Sequence, residues 1–256
     1  MFINRENIKY YLILIPSMTR YIALVSGKGG VGKTTTAVNL GYALSKLGRE
    51  AVVIDANLGT PNVALQLGMI NPPATLNQFL HKKKSLKEIT FTHHSGVSFI
   101  PASPSFNEYR KTNPQKISEV LDHLDKTVEF VVIDAPSGLS YEVHSVLKNS
   151  DEVLLIVNPT LSSVTDALKT IQLSQAHNNT IAGVVLNMTH TWGKDQLSKQ
   201  QVEEILGQQV IVKIKQDSKM RKALHLQTPL SHLYPRSRTA KEFNRLAEHL
   251  CFNVKN

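Results

Sequence analysis

The sequence predicts an α/β fold, a doubly wound and mostly parallel sheet with helices on both faces. Short apolar runs rich in Val, Ile and Leu alternate with helical stretches at short spacing, which is typical of strands joined by crossover helices. Acidic residues directly follow two of these runs, at Asp55 and Asp134, where ligands bind in open α/β sheets. The 256 residues, 41% hydrophobic and 19% charged, suffice for one large domain with a sizeable core.

A glycine-rich turn follows the first predicted strand, residues 21–26, and leads into an amphipathic helix. The turn matches the pattern G-x-x-x-x-G-K-[ST] of a nucleotide-binding P-loop over eight residues, which are Gly27, Lys28, Gly29, Gly30, Val31, Gly32, Lys33 and Thr34. Its glycines let backbone N–H groups close around a polyphosphate at the positive end of the helix dipole. We expect Lys33 to neutralise the β- and γ-phosphates, Thr34 to ligate Mg²⁺, and Thr35 to reach the α-phosphate.

Two acids at strand ends complete a predicted metal site. The strand at 51–54 runs into Asp55, and the strand at 128–133 runs into Asp134. A carboxylate in such a position can hold Mg²⁺ or one of its waters, so the predicted metal ligands are Thr34, Asp55 and Asp134. Gly138 stands four residues after Asp134, where its N–H can meet the γ-phosphate and move when that phosphate leaves.

The remaining apolar runs and helical patterns fill in the rest of the sheet. They predict strands at 97–100, 153–157, 181–186 and 210–214, and helices at 115–126, 197–206 and 239–251. Residues 64–95 carry shorter helical patches, which are interrupted at 71–73 and at 81–84. A helix is also expected soon after the strand at 153–157, with Ser162 or Ser163 as its N-cap.

The lysine directly after the first glycine of the P-loop is not needed for the phosphate cradle itself. With it, the loop reads K-G-G-V-G-K-T-T and resembles the deviant Walker A motif of the MinD/ParA family of P-loop ATPases, most closely its MinD-like branch. The resemblance extends from about residue 19 to about residue 250. It implies ATP and Mg²⁺ as cofactors, and a homodimer in which Lys28 of each protomer reaches the other's nucleotide.

The resemblance also implies a role for the loop after Asp55. In the family this loop reads D-x-D, where the first acid serves Mg²⁺ and the second positions the attacking water. Here the first acid is Asp55 and the second position is Asn57, a departure that predicts slow hydrolysis. The catalytic set is therefore expected to be Lys28, Lys33, Asp55 and Asn57.

Two further positions are implied to line the base site. Asn187, at the end of the strand at 181–186, matches an Asn that hydrogen-bonds adenine in MinD-like proteins, and the guanine signature NKxD is absent. Of the Pro-Glu-Asp loop that usually lines the base pocket in the family, this sequence retains only Asp217.

These features predict an ATP-dependent dimerisation switch with slow hydrolysis, acting in intracellular positioning or in regulation of the cell-division type through an unidentified protein partner. One alternative is a partition-type ATPase that binds DNA non-specifically, and another is a regulatory ATP-binding protein with little hydrolysis. The net charge of +9 keeps nucleic acid open as a partner. A metallocluster carrier is disfavoured because no CxxC is present, and metal binding at His93 and His94 is disfavoured because no matched ligands flank them.

The two ends of the chain and its single cysteine indicate where in the cell the protein is expected to act. Residues 18–256 are expected to form the single ATPase domain, preceded by a 1–17 extension that is flexible, an added strand, a weak anchor or the product of an upstream start. The single cysteine, Cys251, favours the cytoplasm, and association with a membrane would then require a partner. No lipid-binding helix of the kind that ends bacterial MinD proteins is evident after residue 251.

Overall fold

The computed structural model describes residues 18–190 and 196–252, so the 1–17 extension lies outside the described residues. Within them, eight strands form one sheet: β1 Arg20–Val25, β2 Ala51–Asp55, β3 Phe91–Thr92, β4 Ser98–Ile100, β5 Phe130–Asp134, β6 Glu152–Val157, β7 Thr180–Thr189 and β8 Val210–Lys215. The strand order is β3-β4-β2-β5-β1-β6-β7-β8, and every pairing is parallel except β3 with β4. The mostly parallel, doubly wound sheet expected from the sequence is confirmed.

Helices cover both faces of this sheet. In chain order they are α1 Lys33–Lys46, α2 Val63–Gln66, α3 Leu76–Leu80, α4 Leu86–Ile89, α5 Phe106–Lys111, α6 Ile117–Leu124, α7 Tyr141–Lys148, α8 Leu161–Ala176, α9 Lys199–Leu206, α10 Ser218–His225, α11 Leu230–Leu233 and α12 Arg238–Phe252. None of these helices combines the length and the apolar character needed to cross a membrane.

The side chains of the central strand β1 alternate between two cores. Ile22 and Leu24 are fully buried in the core that includes residues of α1 and α12, while Ala23 and Val25 are fully buried in the core that includes residues of α6 and α8. Because successive residues of a strand point to opposite faces, a strand buried on both sides reads as one continuous apolar run. This is why the sequence revealed these strands.

Strand register places the site at one edge of the sheet. Leu24 of β1 and Asp55 of β2 are both register partners of Asp134 in β5. The P-loop follows β1 directly, so the loop and the two acids meet at the carboxyl ends of three adjacent strands.

Several local details differ from the sequence-based expectations. The N-cap of α8 is Thr160, whose hydroxyl accepts from the backbone N–H of Ser163, so neither Ser162 nor Ser163 caps this helix. The Ser163 hydroxyl instead accepts from the backbone N–H of Asn158, which ties the helix to the end of β6. Strand β7 continues through Thr189, beyond the predicted end at residue 186.

The helix expected at 115–126 ends earlier, at Leu124. Its first turn is a 3₁₀ turn, Pro114–Lys116, capped by Asn113. Asp125 leaves the helical conformation and Lys126 has φ +59°, which stops the helix. Strand β3 and four short helices, α5, α7, α10 and α11, were not predicted. Strand β3 and α11 have only two and four residues, while α5 buries none of its residues and α10 buries one, so these four elements show no clear apolar pattern.

Candidate nucleotide-binding site

The P-loop turns from β1 into α1 through left-handed backbone at Gly30 (φ 78°) and Gly32 (φ 96°), a conformation that glycine adopts without strain. Gly32 is the residue that precedes α1, and no side chain caps the first N–H groups of this helix. Uncapped N–H groups at the start of a 14-residue helix form a site for an anion such as phosphate.

The two lysines of the loop have different environments. Lys33 is buried, and its Nζ donates to the Ser26 hydroxyl at 2.8 Å. Burial lowers the pKa of Lys33, while the carboxylate of Asp134 acts in the opposite direction. Lys28 is exposed and its Nζ donates to the Ser162 hydroxyl at 3.2 Å, on the first turn of α8. One lysine therefore lies inside the cradle and the other lies outside it.

The first glycine of the loop is packed against α8. A Cβ built on Gly27 would lie 2.4 Å from the backbone carbonyl carbon and oxygen of Asp166. In contrast, a Cβ on Gly29 would meet nothing closer than the Ser137 hydroxyl, at 3.5 Å. The start of the P-loop and the first turns of α8 are therefore in direct contact.

Asp55 and Asp134 are buried side by side at the strand ends. Asp55 accepts from the backbone N–H groups of Asn57, Asn62 and Val63, at 3.2, 2.8 and 2.9 Å. Asp134 accepts at Oδ2 from the Thr34 hydroxyl at 2.6 Å, and its Oδ1 is buried without a hydrogen-bond partner.

The electrostatics of this acid pair suit a divalent cation. Burial raises the pKa of Asp55, and the neighbouring Asp134 raises it further despite the three N–H donors. Burial also raises the pKa of Asp134, which Thr34 and Lys33 partly offset. Two buried carboxylates, an unpartnered oxygen and an adjacent threonine hydroxyl form the hard oxygen-donor set that Mg²⁺ prefers. Thr34, Asp55 and Asp134 thus fit the metal site expected from the sequence.

The loop after β2 holds Asn57 in a local turn. Its Nδ2 donates to the Thr60 carbonyl at 2.8 Å, and its Oδ1 accepts from the Thr60 N–H at 3.3 Å and from the Thr60 hydroxyl at 3.2 Å. The loop after β5 is tied to the P-loop, because the N–H of Gly138 donates to the Ser26 carbonyl at 3.0 Å. Gly138 has φ 80°, again a conformation suited to glycine.

A cavity of about 540 Å³ opens beside Gly32 and Thr35 and is large enough for a nucleoside. Asn187 and Asp217 both line it. The Asn187 Nδ2 donates to the Val31 carbonyl at 2.7 Å, which fixes this side chain against the P-loop and leaves its Oδ1 as an acceptor. The remaining walls come from β8, α10 and α12 and include Ile214, Met220, Arg221, Leu224 and Phe243.

The structure brings the predicted residues together with a few that sequence reasoning missed. Ser26, which holds Lys33, precedes the first glycine of the motif, and its small polar side chain was a usable signal. The walls from α10 and α12 lie about 185 to 210 residues from the P-loop in sequence and gave no such signal. His93, His94 and His232 lie close together on a separate surface, with ring centroids 3.9 Å apart for the first pair and 5.7 Å for the second. Residues 18–190 and 196–252 contain no group of three or more His, Cys, Asp or Glu side chains able to hold a metal.

Comparison with known proteins agrees with this geometry. Residues 17–251 match the ParA family model, described as NUBPL iron-transfer P-loop NTPase. An ATP-binding protein of Methanocaldococcus jannaschii is 35% identical over 93% of this chain and 89% of its own length. The antiactivator FleN of Pseudomonas aeruginosa is 32% identical over 89% of this chain and 84% of its own.

Solved structures give the same result. The cell-division ATPase MinD of Pyrococcus furiosus has a TM-score of 0.87 and 31% identity, covering 93% of this chain and all of its own. The septum site-determining protein MinD of Pyrococcus horikoshii, solved with Mg-ADP, has a TM-score of 0.86 and 29% identity, covering 91% and 96%. With its P-loop, strand-end acids and sheet order, the chain belongs to the MinD/ParA family of P-loop ATPases.

Proposed function

We propose that this protein is an ATP-dependent dimerisation switch that hydrolyses ATP slowly. The proposal rests on the different positions of the two P-loop lysines. Lys33 is buried and donates to the Ser26 hydroxyl, while Lys28 is exposed and donates to the Ser162 hydroxyl. An exposed cation beside the phosphate site is available to the nucleotide of a second molecule. Its hydroxyl contact with Ser162 is a weak surface bond that a phosphate oxygen would readily replace.

ATP and Mg²⁺ are the cofactors that these residues fit. Bound Mg²⁺ would neutralise phosphate charge beside Asp55, Asp134 and Thr34. The N–H groups at the start of α1 and the Lys33 ammonium would hold the β- and γ-phosphates, and Thr35 lines the adjoining cavity. The Gly138 N–H donates to the Ser26 carbonyl in this structure. In the ATP-bound state it would donate to the γ-phosphate instead, and it would lose that bond when the phosphate leaves after hydrolysis.

The dimer is tested by light scattering with and without Mg-ATP. We expect the wild type to change from monomer to dimer, and Lys28→Ala to remain monomeric while it retains much of its ATP binding. Lys46→Ala, an exposed lysine at the far end of α1, is the matched control and should dimerise normally. Ser162→Ala removes the contact that Lys28 makes in the monomer, so this variant should still dimerise. A wild type that stays monomeric at saturating Mg-ATP contradicts the proposal.

Slow hydrolysis is proposed because a neutral amide stands where the family has an acid. Asn57 can orient a water molecule but cannot accept its proton, and its side chain is already bonded to Thr60. The absence of a second negative charge in this loop also favours the ATP-bound state, since like charges near the γ-phosphate repel it. Both effects lengthen the lifetime of the ATP-bound dimer.

The setting we propose is intracellular positioning or regulation of the cell-division type. It is supported by relatives named as an antiactivator and as septum site-determining and cell-division proteins. The protein would act in the cytoplasm and would reach a membrane through a protein partner. Capture of one binding partner by the wild type with a non-hydrolysable ATP analogue, but not with ADP and not by Lys28→Ala, is the expected result. Equal capture in both nucleotide states contradicts a switch.

A second candidate function, non-specific DNA binding of the partition type, is favoured by charge. From residue 194 onward the chain has twelve Lys and Arg against six Asp and Glu, a net +6. Among the described residues, Lys213 in the edge strand β8 and Arg221 and Lys222 in α10 form no salt bridge and are exposed. We expect any binding to two unrelated duplexes to be equal, to need ATP, and to weaken steeply between about 50 and 200 mM salt. No binding at the lower salt concentration would exclude this function.

A further inference from the structure

The outer wall of the base cavity is α10, and apolar packing holds this helix only weakly. Ala223 is its only fully buried residue. It belongs to a small cluster with Leu230 and Ala240, which Met220 and Tyr234 cover in part. Met220, itself only partly buried, also packs against the larger core that contains Phe243. Burial of so little apolar area leaves the position of the helix dependent on other contacts.

A carboxylate at the start of α10 supplies such a contact. Asp217 is the N-cap of the helix, and its Oδ1 accepts from the Lys219 N–H at 2.9 Å. Its Oδ2 accepts from the hydroxyl of Thr239, at 2.8 Å, on the first turn of α12. The side chain therefore joins the first turns of two helices, each of which presents its positive end to the negative charge.

The Thr239 hydroxyl has little access to water. The residue is 2% exposed, so a hydroxyl that lost its carboxylate partner would be left buried without an acceptor. Phe243, one turn further along α12, lies in the wall of the same cavity as Met220 and Leu224 of α10. The bond between Asp217 and Thr239 therefore joins the two helices that form these walls.

We propose that Asp217 is a positioning residue, which holds α10 against α12. It thereby sets the width of the cavity beside Gly32 and Thr35, and it makes no hydrogen bond to the nucleotide base. The inference rests on the proposed function, because it assumes that ATP occupies this cavity. It leaves recognition of the adenine amino group to Asn187, whose Nδ2 is engaged by the Val31 carbonyl and whose Oδ1 remains an acceptor.

A comparison of ATP with ITP separates positioning from base reading, because hypoxanthine carries an oxygen where adenine carries the amino group. Asp217→Asn keeps an acceptor for the Lys219 N–H, and its amide can donate to the Thr239 hydroxyl. We expect this variant to bind both nucleotides within about two-fold of wild type. Thr239→Val removes one hydrogen bond at constant shape and should weaken ATP and ITP equally, by about five-fold. Thr112→Val, which loses buried hydrogen bonds far from the cavity, controls for general destabilisation.

Titration calorimetry in Mg²⁺ buffer gives the affinities, and the ratio of ATP to ITP affinity is the deciding quantity. An unchanged ratio in Asp217→Asn, with equal losses in Thr239→Val, supports the proposal. A direct contact predicts instead that Asp217→Asn shifts the ratio toward ITP, since an amide can donate to the hypoxanthine oxygen. That shift would overturn the proposal even if Thr239→Val failed to fold. A wild type that binds neither nucleotide contradicts the proposed function itself, whatever the variants do.

Discussion

Replacement of Asn57 by Asp should raise the rate of single-turnover ATP hydrolysis by about ten-fold. A positioned proton acceptor contributes at least about 100-fold, or ~2.7 kcal/mol of barrier. The substitution also has a structural cost, because the Asn57 Nδ2 bond to the Thr60 carbonyl, 2.8 Å long, is replaced by two oxygens that repel each other. The loss of that bond and the reordering of the loop cost about 1 to 1.5 kcal/mol, which leaves roughly ten-fold.

Rapid-quench measurement of ADP formation, with protein in excess over Mg-ATP, determines this rate. Asn62→Asp is the matched control, because Asn62 lies in the same loop and its Nδ2 donates to the same Thr60 carbonyl at 2.7 Å. It introduces the same charge and loses an equivalent bond, so we expect no acceleration. A rate at or below wild type for Asn57→Asp, with ATP affinity preserved, would show that Asn57 does not limit the chemistry. An equal acceleration in Asn62→Asp would show that charge alone is responsible.

Burial and close packing determine the expected effects of substitutions at Asp134, His93 and Gly27. Asp134→Asn should stabilise the nucleotide-free protein at pH 8, because burial raises the pKa of this carboxyl and the ionised carboxylate therefore opposes folding. A gain of about 1 kcal/mol in the free energy of unfolding would raise the Tm by roughly 2–4 °C in scanning calorimetry. The same variant should lose Mg²⁺-dependent ATP binding. Burial and two neighbouring imidazoles lower the pKa of His93 to about 4, so the neutral imidazole contributes its full stability above pH 6.5 and loses it as the pH falls toward 4. The free energy of unfolding should fall by about 1 kcal/mol at pH 5, after allowance for solvent screening. Urea titrations should show a flatter decline for His93→Gln, and an equally steep decline in this variant would contradict the prediction. Gly27→Ala should weaken ATP binding at least about ten-fold in titration calorimetry and destabilise the fold by about 1–3 kcal/mol in urea titrations, because its Cβ would overlap the Asp166 backbone. The Cβ of Gly29→Ala meets no protein atom closer than 3.5 Å, so this variant should unfold at the same urea concentration as the wild type.

The parts of the structure that the sequence predicted are those encoded by contiguous residues. Strand β5, for example, is buried at every position, so its five residues form an uninterrupted apolar run that ends in an acid. The P-loop is likewise specified within eight residues, since each glycine, lysine and threonine has a local role. Placement of Asp55 beside Asp134 then required only that parallel strands end at the same edge.

Side-chain partners distant in sequence were beyond such reasoning. Lys28 and Ser162 are 134 positions apart, and no local pattern indicates that one donates to the other. Isolated helices of four to eight residues are not stable in water, so the residues of α5, α7, α10 and α11 do not by themselves specify a helix. The direction of the Asn57 side chain could not be predicted either. The sequence shows that Asn57 departs from the family pattern, and only the structure shows that its side chain bonds to Thr60.

These distant contacts suggest how a change at the phosphates would reach the surface. Gly27 touches the backbone of Asp166, and Lys28 bonds Ser162, so the first two residues of the P-loop both lie against the start of α8. If Lys28 leaves Ser162 for a partner's nucleotide, the exposed first turn of α8, which includes Leu161 at 64% exposure, loses the lysine that lies on it but keeps its N-cap bond to Thr160. A protein that recognised this turn would then distinguish the dimer from the monomer, because the same lysine cannot occupy both positions. The nucleotide state and the surface of α8 would then be linked through the side chain of Lys28.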